Sequence, residues 1–398
     1  MPDSGSGDSR QQARRAIVQR MTGQQILVTI AGSVPRPPHL ARLPGAADPG
    51  LSAGEPALAQ ATAAALAWQR RNGVDVVSDG EVDRLPLADP GLRGFDGPPV
   101  PFQVADLAAA DQCHWAAEYF TGPAAAAAPS NTGKITYDPA PAAARISRFQ
   151  AALAGLDGDQ PAGAFLAVPS PGAITLAGSS YYRGAEDFLA AAAVALAREY
   201  REITSAGLTL QVDAPDLALP YHVHYRGMSV GDFRARAQLH AEALGQALDG
   251  IDPQQVRLHV CWGNYPGPHH LDVPLGSIID IIYGVRAGTL VLAGASPQHR
   301  ADWRLFARSK LPAGMTLAAG VIDTSAPGIE APVAIADAIV QVAGVVGPGR
   351  VMAATDCGFA AFAGAPAMPA GVAELKIQAL RAGADMATRR LWRATAAA

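Results

Sequence analysis

Cysteine is scarce in this sequence, with three among 398 residues, at positions 113, 261 and 357. So few thiols at such uneven spacing exclude the disulfide framework that stabilises small secreted domains. Cys261 and Cys357 instead lie in local contexts that suit metal ligation, and they give the first indication of function.

Charge is also low, with 17% charged residues and a net charge of −4. Because no cluster of lysine and arginine is interleaved with aromatic residues, a nucleic-acid partner is not expected. No apolar run is long enough to cross a bilayer, which argues against a membrane partner. Residues 1–22 are polar and lack the apolar centre of a signal peptide, so we predict a disordered N-terminal extension on a cytoplasmic protein. The sequence leaves the oligomeric state open.

What the chain does contain is an alternation of short apolar runs with longer, alanine-rich helical stretches. The helix predicted over 186–206, for example, meets Gly207 where a helix is expected to stop, and a strand follows at once. Most runs are apolar at nearly every position, as expected of parallel strands covered on both faces. The eight predicted strands are Ile26–Ile30, Val74–Ser78, Ala164–Val168, Leu208–Val212, Val256–Val260, Thr289–Ala293, Thr316–Val321 and Val351–Thr355.

Eight such units predict a single α/β domain, a (β/α)₈ barrel over residues 23–398. The segment 86–163 is rich in alanine, proline and glycine, and it predicts an insertion with helical pieces before the third strand rather than a separate domain. Polar and ionisable residues follow the strands, whereas the strand bodies are apolar. Since the active sites of such barrels lie at the carboxyl ends of the strands, we expect the functional residues there.

His259 and Cys261 are two residues apart at the end of the fifth strand, so their side chains lie on the same face. Cys357 follows the eighth strand and is expected to converge with them across the mouth of the barrel. Imidazole and thiolate ligands suit zinc, and three protein ligands leave one position open, which is the catalytic arrangement. The alternative is that the two cysteines are packing residues, as buried free cysteines often are.

Longer motifs extend this interpretation over most of the chain. They are AGSVPRP (31–37), GVDVVSDGEVDR (73–84), EYREITSAGLTLQVDAPDLAL (199–219), HVCWGNYPGPHHLDVPL (259–275), GVIDTSAPGIEAP (320–332) and ATDCGF (354–359). In this order they resemble the cobalamin-independent methionine synthase family, and most closely its epoxyalkane:coenzyme M transferase branch. The resemblance implies a TIM barrel of the uroporphyrinogen decarboxylase and methionine synthase type, with zinc on His259, Cys261 and Cys357. It also implies the reaction of a zinc-bound thiolate with a small alkyl donor, a methylfolate in one branch and an epoxide in the other.

Three positions depart from the methionine synthase branch. Ala293 stands where the family places a glutamate as a fourth zinc ligand. Either water or another group takes the place of that carboxylate, or zinc binding is weaker. Thr324 stands where that branch has a histidine, and Ala214 where it has an acidic residue. Together these differences argue against methionine synthesis from methylfolate.

Other residues at the strand ends receive roles from the same comparison. Asp213 and Glu81 resemble the carboxylates that hold the amino group of homocysteine, and one of them could protonate a leaving alkoxide. Alternatively, these two carboxylates cap helices. In the same way, Ser33 forms a turn, and the aromatic residues fill the core. Histidines 222, 224, 269 and 270 are not expected to bind the metal. The residues predicted to contact substrate are Ser33, Asp79, Trp262, Asn264, Tyr265 and Asp323.

Three hypotheses therefore follow from the sequence. The first is a zinc-dependent transferase, a methyl- or other alkyltransferase, that joins a small-molecule thiol to an alkyl donor. The second is a diverged lyase or hydrolase on the same barrel, and the third is a non-catalytic homologue. The presence of His259, Cys261 and Cys357 favours the first two.

Overall fold

The computed structural model describes residues 24–36, 54–83, 89–98, 129–156, 158, 160–225, 227–265, 269–360 and 368–392. Eight parallel strands within them form a closed barrel. Each strand pairs with its neighbours in the chain, and the eighth pairs with the first. The strands are β1 (Val28–Thr29), β2 (Val76–Ser78), β3 (Gly163–Pro169), β4 (Thr209–Asp213), β5 (Val256–Val260), β6 (Thr289–Leu292), β7 (Thr316–Ile322) and β8 (Val351–Thr355).

The barrel confirms the predicted fold class, and each of its eight strands overlaps a predicted one. β5 and β8 have the predicted bounds, and β3 is one residue longer at each end. β1 is shorter than predicted. Its hydrogen-bonded ladder includes two residues, although the buried run extends from Ile26 to Val34. Burial on both faces of the strands therefore made them recognisable from sequence, whereas the ends of the ladders depend on pairing.

Helices surround the barrel and connect its strands. The helix α3 (Ala185–Ser205) lies within one residue of the predicted range at each end. Gly207, beyond its C-terminus, has φ +82°, a conformation that glycine adopts without strain. The longer helices are α1 (Glu55–Arg71), α2 (Ala140–Ala154), α3 (Ala185–Ser205), α4 (Val230–Ala247), α5 (Ile279–Gly284), α6 (Pro332–Val346) and α7 (Ala370–Trp392). Short α-helices span Pro171–Thr175 and Pro220–Val223, and 3₁₀ turns span Pro215–Leu217, Pro253–Gln255, Leu275–Ser277, Asp302–Ala307 and Pro348–Arg350.

The described part of the predicted insertion contains α2 and a small antiparallel pair, Leu92–Arg93 with Thr136–Tyr137. α2 packs against α1 and α3, so this segment lies beside β2 and β3. Residues 99–128 of the insertion and the predicted extension 1–22 lie outside the described residues. Within the described chain, no helix combines the length and the apolar composition needed to span a bilayer.

The centre of the barrel contains one buried cation. The Arg257 guanidinium lies 4.1 Å from the ring centroid of Phe165 and donates to Gln211 Oε1 at 3.1 Å and to Thr29 Oγ1 at 3.2 Å. Burial lowers the pKa of Arg257 to about 9, although Asp213 opposes this effect. Because Arg257 and His259 are two residues apart on β5, they lie on the same face, and the polar interior leads towards the predicted site.

Candidate metal centre

His259, Cys261 and Cys357 converge at the carboxyl end of the barrel, as predicted. Their ligand atoms all lie within 4.8 Å of one another, and all three residues are buried. His259 is the fourth residue of β5, and Cys261 follows its last residue on the same face. β8 ends at Thr355, so Cys357 reaches the other two residues from a strand across the mouth. Within the described parts of the chain, these residues form the one group of three that could hold a metal ion.

The hydrogen bonds of His259 turn one ring nitrogen towards this group. Its Nδ1 lies 3.3 Å from the carbonyl oxygen of Val291 on β6, which accepts a hydrogen bond when Nδ1 carries the proton. Nε2 then lies 3.8 Å from Cys357 Sγ. A second hydrogen bond of this kind usually fixes the orientation of a metal-binding histidine. Both cysteines are free thiols, and two sulfurs with one imidazole nitrogen form a typical zinc donor set.

The three side chains also shift the pKa values of one another. A hydrogen bond from Cys357, with further help from His259, lowers the pKa of Cys261 well below its usual value despite burial. Donating that hydrogen bond raises the pKa of Cys357 well above its usual value. Burial alone would lower the pKa of His259, but the Cys261 thiolate raises it to about 9. Because zinc binds deprotonated sulfur and neutral imidazole, metal binding there would release protons.

The end of β6 contributes no carboxylate to the cluster. Ala293, at the position expected for a glutamate, is buried, and its amide donates to the Val260 carbonyl oxygen at 3.3 Å. The neighbouring carboxylate of Asp356 accepts from the amides of Gly294 and Ala295 at 2.9 to 3.0 Å. Burial raises the pKa of Asp356 to about 7. Asp356 thus joins the ends of β6 and β8 and lies outside the donor group.

Asp213 lies beside the cluster at the end of β4. It pairs in register with His259, and its carboxylate Oδ1 accepts from Gln211 Nε2 at 2.9 Å. Gln211 Oε1 in turn accepts from Arg257, which fixes the amide with its NH₂ group towards Asp213. This chain from Arg257 through Gln211 to Asp213 holds the carboxylate in place beside the cluster.

Ser33 and Asn264 both contact the residue that follows Cys357. A Cβ atom on Gly358 would lie 2.2 Å from Ser33 Oγ, so only glycine permits this approach. Asn264 Nδ2 donates to the Gly358 carbonyl oxygen at 2.8 Å, and its Oδ1 accepts from Thr324 Oγ1 at 3.0 Å. These contacts place both predicted substrate-binding residues next to the cluster and give them a role in holding the Cys357 loop.

Glu81 lies over the end of β1. It is buried with φ +52°, a strained conformation for a residue other than glycine. Its Oε1 lies so close to Gly32 that a Cβ there would be 2.6 Å away. Such strain is often found at functional sites, and it agrees with the role predicted for this carboxylate.

Asp79 is almost fully buried in an ion pair. Its Oδ2 and Oδ1 accept from Nε and Nη2 of Arg145 at 2.6 and 3.2 Å, and Oδ1 also accepts from the Glu81 amide at 3.1 Å. Burial would raise the pKa of Asp79, but Arg145 outweighs burial and holds it below its usual value. The carboxylate is therefore committed to Arg145, a residue of the insertion, and to the turn that carries Glu81.

Asp323 organises the loop after β7. Its Oδ1 accepts from the amide and the hydroxyl of Ser325 at 2.9 and 2.6 Å, and its own amide donates to Glu330 Oε1 at 3.0 Å. Lys376 on α7 also donates to Glu330. Because Thr324 donates to Asn264, this loop is connected to the cluster through Asn264 rather than through Asp323 itself.

Trp262 and Tyr265 pack away from the three ligands, against a group of histidines around Asp272. Trp262 stacks on His299 with ring centroids 3.8 Å apart, and Tyr265 stacks on His269 at 4.3 Å. The carboxylate of Asp272 accepts from His222, His269 and His299 at 3.1, 2.8 and 2.9 Å. None of these histidines belongs to the three-residue donor group found among the described residues, and together they support the segment that follows Cys261.

We expect a His299→Gln variant to weaken the pH dependence of stability above neutrality. Burial alone lowers the pKa of His299, but hydrogen bonds to Asp272 and Asp302 raise it to about 9. The pKa of histidine in the unfolded chain is about 6.5. Protonated His299 therefore contributes on the order of 3 kcal/mol to the free energy of unfolding below pH 6.5, and this contribution is lost as the pH rises through 9. Urea unfolding at a series of pH values should show this loss in the parent protein and a smaller one in the variant. Parallel profiles would contradict this assignment.

The residues that support the site were not predicted, although two of them had a sequence signal. Arg257 and Gln211 each precede a predicted site residue by two positions on a strand, which places them on the same inward face. No comparable spacing pointed to Arg145, Asp272 or Asp356, because each acts across two different elements.

Comparison with known proteins supports the fold. The chain resembles a B12-independent methionine synthase from Shewanella sp. W3-18-1 solved in complex with selenomethionine, with 19% identity and a TM-score of 0.67 over 93% of this chain and 99% of that one. It also resembles a putative vitamin-B12-independent methionine synthase from Listeria monocytogenes, with 15% identity and a TM-score of 0.56 over 92% and 99% of the two chains. No protein-family model and no curated protein matches the sequence. At these identities the likeness is one of fold, and function must be argued from the site.

Proposed function

We propose that this protein is a zinc-dependent transferase that forms a C–S bond between a small thiol and an alkyl donor. The convergence of His259 Nε2, Cys261 Sγ and Cys357 Sγ within 4.8 Å is the observation that carries the proposal. Structural zinc sites usually have four protein ligands, whereas catalytic sites keep a position open for water or substrate. Three donors at the carboxyl end of a barrel, with Ala293 in place of a fourth, fit the catalytic type.

The donor set fits zinc in its chemistry as well as its number. The sulfur of Cys261 is already biased towards the thiolate form, and His259 can keep its proton on Nδ1 for Val291. A zinc ion bound to these residues would supply Lewis acidity that lowers the pKa of a thiol in the open position. Burial of all three ligands excludes bulk water, which favours the thiol as a nucleophile over hydroxide.

Asp213 is the residue best placed to move a proton in this reaction. Formation of the C–S bond breaks a bond from carbon to oxygen or nitrogen in the donor, the thiol loses its proton, and the leaving atom gains one. Asp213 lies beside His259, and Gln211 orients its carboxylate. Glu81, buried over Gly32, is a second carboxyl group for binding or proton transfer. We assign Asp213 to hold the proton and Glu81 to orient the substrate.

Two residues at the strand ends, Ala214 and Thr324, bear on the identity of the alkyl donor. The absence of an acidic residue at Ala214 and of a histidine at Thr324 supports an epoxide donor rather than a methylfolate. In the structure, the Thr324 hydroxyl donates to Asn264, which in turn holds the loop of Cys357. This position therefore has a role in shaping the site that does not require an imidazole.

The proposal is tested by mixing the zinc-loaded protein with a small thiol and either an epoxide or methyltetrahydrofolate, and detecting the thioether by mass spectrometry. We expect Asp213→Asn to lower turnover by a factor of roughly 10² to 10⁴, the usual contribution of general acid–base catalysis, and to retain zinc.

Asp249→Asn, an exposed aspartate removed from the cluster, is the matched control and should keep full activity. Full activity of Asp213→Asn would remove Asp213 from the mechanism. Absence of thioether with every thiol and donor would contradict the proposed function.

A further inference from the structure

A second cavity lies outside the metal centre, between the helices α1, α2 and α3. Its volume is about 170 Å³, which corresponds to the space of roughly five or six water molecules. Ionisable groups dominate its polar lining, and they are Glu55, Asp83, Asp89, Arg145, Arg148 and Glu199. None of these residues was predicted to be functional, and none belongs to the metal-binding group.

Both arginines in this cavity are already satisfied by the protein. Arg145 donates to both carboxylate oxygens of Asp79 and, at 2.9 Å, to the Ala167 carbonyl oxygen. Arg148 is held by Glu55 at 3.0 to 3.1 Å, by Asp83 and by Thr62 at 3.2 Å. An anionic ligand would have to displace one of these carboxylates, so the arginines do not form an anion site.

Glu199 and Asp89 are the acidic groups that these arginines do not neutralise directly. Glu199 is 3% exposed, and its Oε2 has no hydrogen-bond donor among the described residues. The two carboxyl groups lie within hydrogen-bonding reach of each other, and two ionised carboxylates at that range repel. Burial, followed by Asp89, raises the pKa of Glu199 well above its usual value, although Arg145 opposes this. Asp89 itself accepts from the Gly91 amide at 2.7 Å.

We propose that this cavity binds a small primary ammonium cation between Glu199 and Asp89. Ionised carboxylates only accept hydrogen bonds, and an ammonium group supplies three donors and the missing positive charge. Burying two facing carboxylates without such a partner is costly. Ca²⁺ takes six to eight oxygen ligands, more than this pair supplies, and Mg²⁺, which combines one or two carboxylates with several waters, is distinguished by the test below. The size of the cavity limits the ligand to a few carbon atoms.

The proposal predicts that binding releases a proton, because the ammonium cation favours the ionised form of Glu199, whose pKa burial raises. Isothermal titration calorimetry of the full-length protein with n-propylammonium, near neutral pH in two buffers of different ionisation enthalpy, measures affinity and proton release together. We expect binding with the release of about one proton, and no binding of the neutral isostere n-propanol. Glu199→Gln should weaken binding at least tenfold, because it removes a charged hydrogen-bond acceptor.

Glu186→Gln is the matched control, since it removes one negative charge from an exposed position on the same helix. It should leave the affinity unchanged. Glu199→Gln is isosteric with the protonated side chain, so thermal unfolding should show that the variant folds, and Asp89→Asn provides a second, independent test. The proposal is overturned if propylammonium does not bind at about 10 mM, if binding releases no proton, or if Glu199→Gln binds as well as the parent. Binding of Mg²⁺ or of phosphate at this cavity in place of the amine would also overturn it.

Discussion

Replacing Cys357 with serine is expected to remove zinc from the protein. The substitution exchanges one of two sulfur ligands for a neutral hydroxyl, a much poorer ligand for zinc, and leaves His259 and Cys261 as an incomplete pair. Ala293 supplies no carboxylate, Asp356 is committed to backbone amides, and Asp213 is held by Gln211, so none of these three replaces the lost ligand. We expect about one zinc per chain in the parent and less than about 0.1 in the variant after dialysis, measured by mass spectrometry of the metal.

The chain offers a matched control for this variant in its third cysteine. Cys113→Ser makes the same chemical change at a cysteine that lies outside the described residues and outside the proposed ligand set, and we expect it to retain zinc. Cys261→Ser should behave like Cys357→Ser. If the Cys357 variant kept its zinc, or if the Cys113 variant lost it, the assignment of the ligands would be wrong.

Replacing Asp79 with alanine is expected to destabilise the fold by about 3–5 kcal/mol, the usual cost of leaving a buried ionic partner without its counter-charge. Asp79 is 1% exposed, and the side chain of Arg145 is 13% exposed. The same pair joins α2 of the insertion to the end of β2, and Arg145 also binds the Ala167 carbonyl oxygen of β3. Urea unfolding of the parent and the variant at neutral pH measures this loss.

A double-mutant cycle separates this structural role from the predicted contact with substrate. Asp79→Ala combined with Arg145→Met should be less destabilised than the sum of the two single variants, because the double variant leaves no unpaired charge. A loss below 1 kcal/mol in Asp79→Ala, or simple additivity, would show that the ion pair does not carry this stability. Asp79 would then remain a residue for substrate binding.

The barrel and the convergence of His259, Cys261 and Cys357 could be predicted because both follow from local patterns. Eight buried runs between helical stretches predict a closed parallel sheet, and Gly207 marks the end of α3 to within two residues. His259 and Cys261 share a face because they are two residues apart, and the closure of β8 onto β1 brings Cys357 to the same end of the barrel.

The surroundings of the site depend on packing between elements far apart in the chain. Arg145 reaches Asp79 from 66 residues away, out of a segment whose composition predicted only helical pieces. Asp272 contacts histidines from a short helix and two loops, and the sequence gives their residue types but not their distances. Trp262 illustrates the same limit, since its position beside Cys261 suggested a pocket wall, whereas its ring lies buried against His299.

The most direct test of the central claim is the X-ray absorption fine structure of the zinc-loaded protein. We predict two sulfur atoms at about 2.3 Å and one imidazole nitrogen at about 2.0–2.1 Å, with a light atom in the remaining position. Addition of a substrate thiol should raise the sulfur count to three. A shell without sulfur, or one that already has four sulfur atoms in the absence of thiol, would contradict a catalytic zinc centre on His259, Cys261 and Cys357.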